Sequence, residues 1–170
     1  MEARASSPVR ADVWASMKLL NFELSKPSFA IELLGLGFVW DLHNKGDFVG
    51  LTINASDNTA VMTWSVGGHP AAMYSGCNLV FRGLKQIIVS PRDEELPLSE
   101  DTCVSGISKL IPDRAEIPEY RVKLEWDEGE LFHLFIEFQS RRWIEVDAES
   151  AELIGVRGEK AWESVVNASV

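Results

Sequence analysis

The fold of this chain is decided by residues 48–66, which read FVGLTINASDNTAVMTWSV. Two segments of alternating apolar and polar residues flank residues 56–59, and Ser, Asp and Asn side chains in such a segment favour a turn by bonding their own backbone. Side chains alternate between the two faces of a strand, so Val49, Leu51 and Ile53 are predicted to share one face. Residues 48–66 therefore predict a β-hairpin.

Further short apolar runs on both sides of this hairpin also predict strands. They cover residues 29–34, 38–40, 78–82, 85–90, 122–126, 131–138 and 142–148. Gly83 separates two of these runs, and a glycine inside a strand pattern predicts a bulge or a sharp bend. Residues 20–24 alternate as a strand would, whereas Val13, Trp14, Met17 and Leu20 would share one side of a helix. Both interpretations of that segment stay open.

Helices are predicted at two other places. Between Asp101 and Ile111, the spacing of Val104, Ile107 and Ile111 fits one buried helical face, with Ser99 as the N-terminal cap. Residues 158–170 predict a C-terminal helix that would bury its apolar side chains together.

These elements predict a mainly β, β-rich α+β fold, an antiparallel sandwich or partly open barrel with one to three short helices. About seven to nine strands follow one another with short connections, whereas parallel pairing needs long crossovers. The length of 170 residues suits a single domain spanning residues 1–170. Residues 1–12 are polar and are predicted to form a flexible N-terminal extension.

The net charge is −10, from 26 acidic and 16 basic side chains. Nucleic acids and anionic membranes are bound through basic clusters, so neither is predicted as a partner. A basic protein is the partner that an acidic surface suits, because complementary fields speed association. The candidate partner-binding residues are the acidic cluster Asp93, Glu94, Glu95, Glu100 and Asp101. The alternative is that these charges only keep the protein soluble.

Cys77 and Cys103 are the two cysteines of the chain. Two cysteines cannot build a disulfide framework or a four-cysteine zinc site, and burial in the core is the expected role of both. Residues 1–20 contain no apolar stretch of signal-peptide length, so a cytoplasmic location is predicted. The sequence is compatible with a monomer or a homodimer.

Asp41 and His43 are the pair of residues that most resembles a catalytic arrangement. Two residues apart on a strand, they would face the same way, and a carboxylate can orient an imidazole. The alternative is that both face solvent at a strand end. The motifs of serine hydrolases, phosphate-binding loops and dinucleotide-binding folds are absent. No catalytic residue, metal site or cofactor is therefore predicted.

Trp40 and Trp64 are the candidate ligand-binding residues. Both lie in predicted strands, where a large aromatic side chain normally anchors the core. If they lined a concave sheet instead, they could form a pocket for a small apolar molecule.

Residues 61–66, VMTWSV, are followed by a loop and then by residues 79–84, LVFRGL. This pattern resembles small bacterial β-rich domains of uncharacterised function, including certain immunity proteins of polymorphic toxin systems. The resemblance implies a protein that blocks a toxin by surface complementarity and has no catalytic residues. The sequence thus favours a non-enzymatic protein-binding domain with an acidic interaction surface. The alternative function is a β-barrel or sandwich that binds a small apolar ligand.

Overall fold

The computed structural model describes residues 16–26, 29–68, 72–110 and 131–158. They form one 3-10 helix, Leu98–Asp101, and ten strands: β1 Lys18–Leu20, β2 Phe22–Leu24, β3 Glu32–Gly35, β4 Phe38–Asp41, β5 Gly46–Asn54, β6 Thr59–Val66, β7 Tyr74–Val89, β8 Val104–Leu110, β9 His133–Phe138 and β10 Trp143–Arg157. The predictions for residues 1–12, 122–126 and 159–170 lie outside the described residues.

The main sheet has the strand order β5-β6-β7-β10-β9-β8, and every neighbouring pair along this path is antiparallel. β10 is long enough to hold two strands on one edge: β9 beside residues 143–146, and β1, in parallel, beside residues 150–152. A second sheet has the order β2-β3-β4. The predicted mainly β, antiparallel fold is confirmed, with β1–β10 as a parallel pair.

The main sheet curls into a half-barrel, so that its two terminal strands approach each other. The Phe48 amide of β5 donates to the Thr102 carbonyl, just before β8, at 2.8 Å. Further along the edge of β8 that β9 does not occupy, Ala30 and Ile107 exchange two backbone hydrogen bonds of 2.9 and 2.7 Å. The segment before β3 therefore covers the edge of β8 and attaches the small sheet to the large one.

The core fills the inner face of the curled sheet. The predicted hairpin is confirmed as β5 and β6, and alternate residues of β6 and β7 have no exposed surface: Ala60, Met62, Trp64, Cys77, Leu79 and Phe81. Cross-strand pairing of Met62 with Leu79 and of Trp64 with Cys77 aligns these two rows. Because β6 buries every second residue, its sequence alternates as predicted, whereas β7 also buries the neighbouring residues Gly76 and Val80.

The helix predicted from Asp101 to Ile111 is wrong, because the described part of this segment contains strand β8 after a single 3-10 turn. A bulge explains the misleading spacing. Val104 pairs with Phe138 and Gly106 pairs with the next residue, so Ser105 is an extra residue in β8. The bulge brings Val104 and Ile107, three residues apart, to the same inner face, where both are fully buried. The bulged strand therefore has the same spacing of buried residues as a helix.

A second bulge corrects the prediction for β5. Phe48 pairs with Trp64 and Gly50 with Thr63, so Val49 is the extra residue and does not continue the row formed by Leu51 and Ile53. Val49 is accordingly 66% exposed.

The two runs on either side of Gly83 belong to one strand, β7. Gly83 has a φ of +61°, and the pairing with β10 skips Lys85, two residues further on, so the predicted irregularity is a bulge close to Gly83. Residues 20–24 lie in β1, Asn21 and β2, so for residues 22–24 the strand interpretation is confirmed.

Candidate partner-binding surface

The predicted acidic cluster lies in the segment that leads from β7 through the 3-10 helix to β8. Arg92 holds this segment in shape. Its Nε donates to Asp101 Oδ2 at 2.7 Å, and its Nη2 donates to the Leu96 carbonyl at 2.6 Å. The two contacts close the loop on itself, so the acidic side chains project from an ordered segment.

Two of the five acidic residues interact with the protein's own arginines. Asp101, whose side chain is 15% exposed, pairs with Arg92. The Ser140 hydroxyl and the Arg92 guanidinium lower the pKa of Asp101, so it is ionised under ordinary conditions. Asp93 lies 3.9 Å from Arg141 Nη1 at the surface. Asp93 and Asp101 therefore stabilise the loop, and the arginines partly neutralise their charges.

The other members of the cluster face outward. Glu94 and Glu95 are exposed, and Glu100 is half-buried. Between them, Leu98 is 73% exposed. A large apolar side chain set among carboxylates gives this loop both charge and an apolar contact point, the combination found in protein interfaces.

The fold extends the acidic area beyond the predicted cluster. Burial raises the pKa of the Cys103 thiol, and three carboxylates add to the rise: Glu100, Asp47 and Asp41. They come from the 3-10 helix, the beginning of β5 and the end of β4. Two contacts bring these elements to Cys103: the Phe48 amide of β5 donates to the Thr102 carbonyl at 2.8 Å, and Cys103 Sγ lies 3.3 Å from the carbonyl of His43, just after β4. Below, the acidic surface means Asp41, Asp47, Glu94, Glu95 and Glu100.

Asp41 and His43 do not form the catalytic pair considered from the sequence. Asp41 ends β4, and its carboxylate accepts hydrogen bonds from the Asn44 amide and side chain at 2.9–3.2 Å. Partial burial opposes its ionisation, but the bonds from Asn44 and from the His43 backbone, with the imidazole charge, leave its pKa lowered. Asp41 therefore closes a turn and stays negatively charged. His43 Nδ1 lies 2.7 Å from the Val104 carbonyl, so this nitrogen carries the proton.

Cys103 lies beside His43, a proximity that the sequence did not reveal. Its sulfur is 3.7 Å from His43 Nδ1 and 3.3 Å from the His43 carbonyl. Because Nδ1 is directed at Val104 and the pKa of the thiol is raised, the imidazole does not generate a thiolate here. Cys77 is fully buried, as expected for a core cysteine, and burial raises its pKa to about 12.

Trp40 and Trp64 have no exposed surface. Trp40 packs against Phe38 and Tyr74, and its Nε1 donates to the Gly35 carbonyl at 2.9 Å. Trp64 packs against Phe48. Both indoles are core anchors, and a ligand would reach them only by displacing core side chains.

An open depression lies on the surface next to the small sheet. Its lining comprises Glu32, Gly37, Phe38, Val39, Asp41 and Lys45, and neither tryptophan contributes to it. In the described part of the chain, no group of three or more His, Cys, Asp or Glu side chains is arranged to hold a metal ion.

A buried polar cluster lies on the outer face of the main sheet. His133 Nδ1 is 2.6 Å from Glu145 and its Nε2 is 3.4 Å from Asp147, which also lies 3.5 Å from Lys85 Nζ. The side chains of His133, Glu145 and Asp147 are each 12% exposed. The cluster ties β7, β9 and β10 together. The spacing of Glu145 and Asp147, two residues apart on one strand, was the signal that could have placed them on one face.

Comparison with protein-family models, with curated proteins and with solved structures gives no significant match. Within the described residues, no helix combines the length and the apolar character needed to cross a bilayer.

Proposed function

We propose that this chain is a non-enzymatic binding domain whose acidic surface engages a basic protein partner. The observation that carries the proposal is that β5 and the turn after β4 contact residues 102 and 103, which places the elements of Asp47 and Asp41 against the segment that carries Glu100. Asp41 and Asp47 are far from Glu100 in the sequence, and the fold places their elements against the segment that also carries Glu94 and Glu95. Acidic residues that serve only solubility are not expected to gather in one part of the surface.

The loop has the properties of a docking element. Arg92 closes it through two short contacts, so the backbone that carries Glu94 and Glu95 is ordered before a partner arrives. Binding by an ordered loop loses less conformational entropy than binding by a mobile one. Leu98, 73% exposed, supplies an apolar contact within the charged rim. These features support recognition by shape and charge together.

The partner class follows from the charges and from the resemblance to immunity proteins. A net charge of −10 favours a basic partner, since opposite charges attract and like charges repel wrong partners. If the resemblance holds, the partner is a basic toxin whose working surface is covered by this domain. A cytoplasmic site of action accompanies this proposal.

The experiment is a capture from the native host with two matched double variants. Glu94→Gln with Glu95→Gln removes two charges from the acidic surface, whereas Glu23→Gln with Glu149→Gln removes two from exposed positions elsewhere. We expect a basic protein to bind the wild type and the control variant, and to bind the loop variant at least about tenfold more weakly. Equal binding to both variants would contradict the proposed surface.

A further inference from the structure

Within the described part of the chain, no strand covers the outer edge of β5 beyond Phe48. Among the described strands, β5 pairs only with β6, and on its outer side Phe48 is bonded to Thr102. Beyond that contact, alternate backbone groups of residues 50–54 face outward without a described partner strand. Ile53 within this segment and Val49 just before it are 50% and 66% exposed. A row of free backbone donors and acceptors is a template for another strand.

Beyond the bulge at Val49, this edge also lacks the charges and prolines that normally prevent strand addition. Residues 48–56, FVGLTINAS, contain no charge and no proline, although 25% of the chain is charged. The opposite edge of the main sheet, β8, is covered by the bridge between Ala30 and Ile107. Natural proteins block an exposed edge with lysine, proline or a covering segment, so an unblocked apolar edge indicates a surface that is covered in function.

We propose that the edge of β5 accepts an extended strand from the basic protein partner. Asp47 and Asp57, both exposed, bracket the uncharged segment. A strand of about five β-branched or apolar residues with Lys or Arg at each end would satisfy the backbone groups and pair with both carboxylates. This inference rests on the proposed function for the basic character of the partner, and it adds the conformation and the sequence pattern of the bound segment.

The same two carboxylates disfavour a second copy of this chain as the occupant. A twofold-symmetric pairing of two β5 edges is antiparallel. The register that pairs the whole uncharged segment then places Asp47 opposite Asp57 of the other copy, twice. Like charges directly opposite each other destabilise a strand pair, and each copy has a net charge of −10. The lysine or arginine residues of a basic strand would instead be attracted to Asp47 and Asp57.

The test uses three synthetic peptides with a Val-Thr-Ile-Thr-Val core: one flanked by two lysines at each end, one flanked by two glutamates, and the lysine peptide N-methylated at alternate residues. We expect the lysine peptide to shift the amide NMR signals of residues 50–54 and to slow their hydrogen exchange. The glutamate and N-methylated peptides should bind at least about tenfold more weakly, because one is repelled and the other cannot pair.

Two variants make the outcome specific to this edge. Asp47→Lys with Asp57→Lys should reverse the preference to the glutamate peptide, whereas Glu23→Gln with Glu149→Gln, at exposed positions outside the acidic surface, should leave lysine-peptide binding unchanged. The capture experiment tests the acidic loop and the peptide experiment tests the β5 edge, so the failure of one is distinguishable from the failure of the other. Unmoved signals of residues 50–54, equal binding of both charged peptides, or self-association that protects those amides would each overturn the proposal.

Discussion

The reactivity of the Cys103 thiol can report the effect of individual acidic side chains on its pKa. Its thiol is half-buried, and burial, with the negative charges of Glu100, Asp47 and Asp41, raises its pKa above the ordinary value of 9.0. Cys77, the other cysteine, is fully buried with a pKa of about 12. Alkylation near pH 8 therefore reports on Cys103.

We predict that Cys103 reacts more slowly with iodoacetamide at pH 8 than an unperturbed thiol, because the thiolate is the nucleophile and a raised pKa reduces its population. Asp47→Asn should lower the pKa and accelerate labelling by about twofold or more. The control Glu23→Gln should leave the rate unchanged. Labelling rates that are equal in all three proteins would show that the carboxylates do not converge on this thiol.

For individual residues, the sequence predicted only those groups whose members are neighbours in the chain. Asp93 to Asp101 stood out as a cluster because its acids are neighbours in the chain. Asp41 and Asp47 joined it only through folding, and the pairing of Asp101 with Arg92 divided the cluster into structural and exposed members. The expectation that Trp40 and Trp64 anchor the core is confirmed, because large aromatic side chains on strands are buried for their area.

Two strands were read incorrectly from the sequence, and each contains a bulge. In β8 the extra residue, Ser105, brings Val104 and Ile107 to one face, and in β5 the extra residue, Val49, leaves the row of Leu51 and Ile53. Periodicity assigns faces only while the register is regular. The hairpin of residues 48–66 and the alternation of β6 were predicted correctly because the pairing of β6 with β7 is regular.

Single truncations test both bulges. Ile107→Ala should reduce the free energy of unfolding by about 2–5 kcal/mol, because a fully buried side chain is replaced by a cavity. Val49→Ala, at a 66% exposed position, should change it by less than about 0.5 kcal/mol. Urea denaturation of both variants measures the difference. A large loss at Val49, or a negligible loss at Ile107, would place these residues on other faces than the structure does.

For the whole molecule, the half-barrel explains how distant segments form one acidic surface. The curl of the main sheet brings β5 to the segment before β8, through the contact of Phe48 with Thr102. That closure carries Asp47 towards Glu100, and the small sheet adds Asp41 from the end of β4. Local patterns predicted the strands and the antiparallel class. The closure is a long-range property, which a single sequence without pairing information does not disclose.

The measurement that tests the central claim most directly is the dissociation constant of the captured partner over a salt series from about 0.05 to 0.5 M. Exposed charges more than about a Debye length apart are screened over this range. We predict that binding to the wild type weakens by about tenfold or more, and that the Glu94→Gln, Glu95→Gln variant has a shallower dependence. An affinity that stays constant or increases with salt would contradict recognition through the acidic surface.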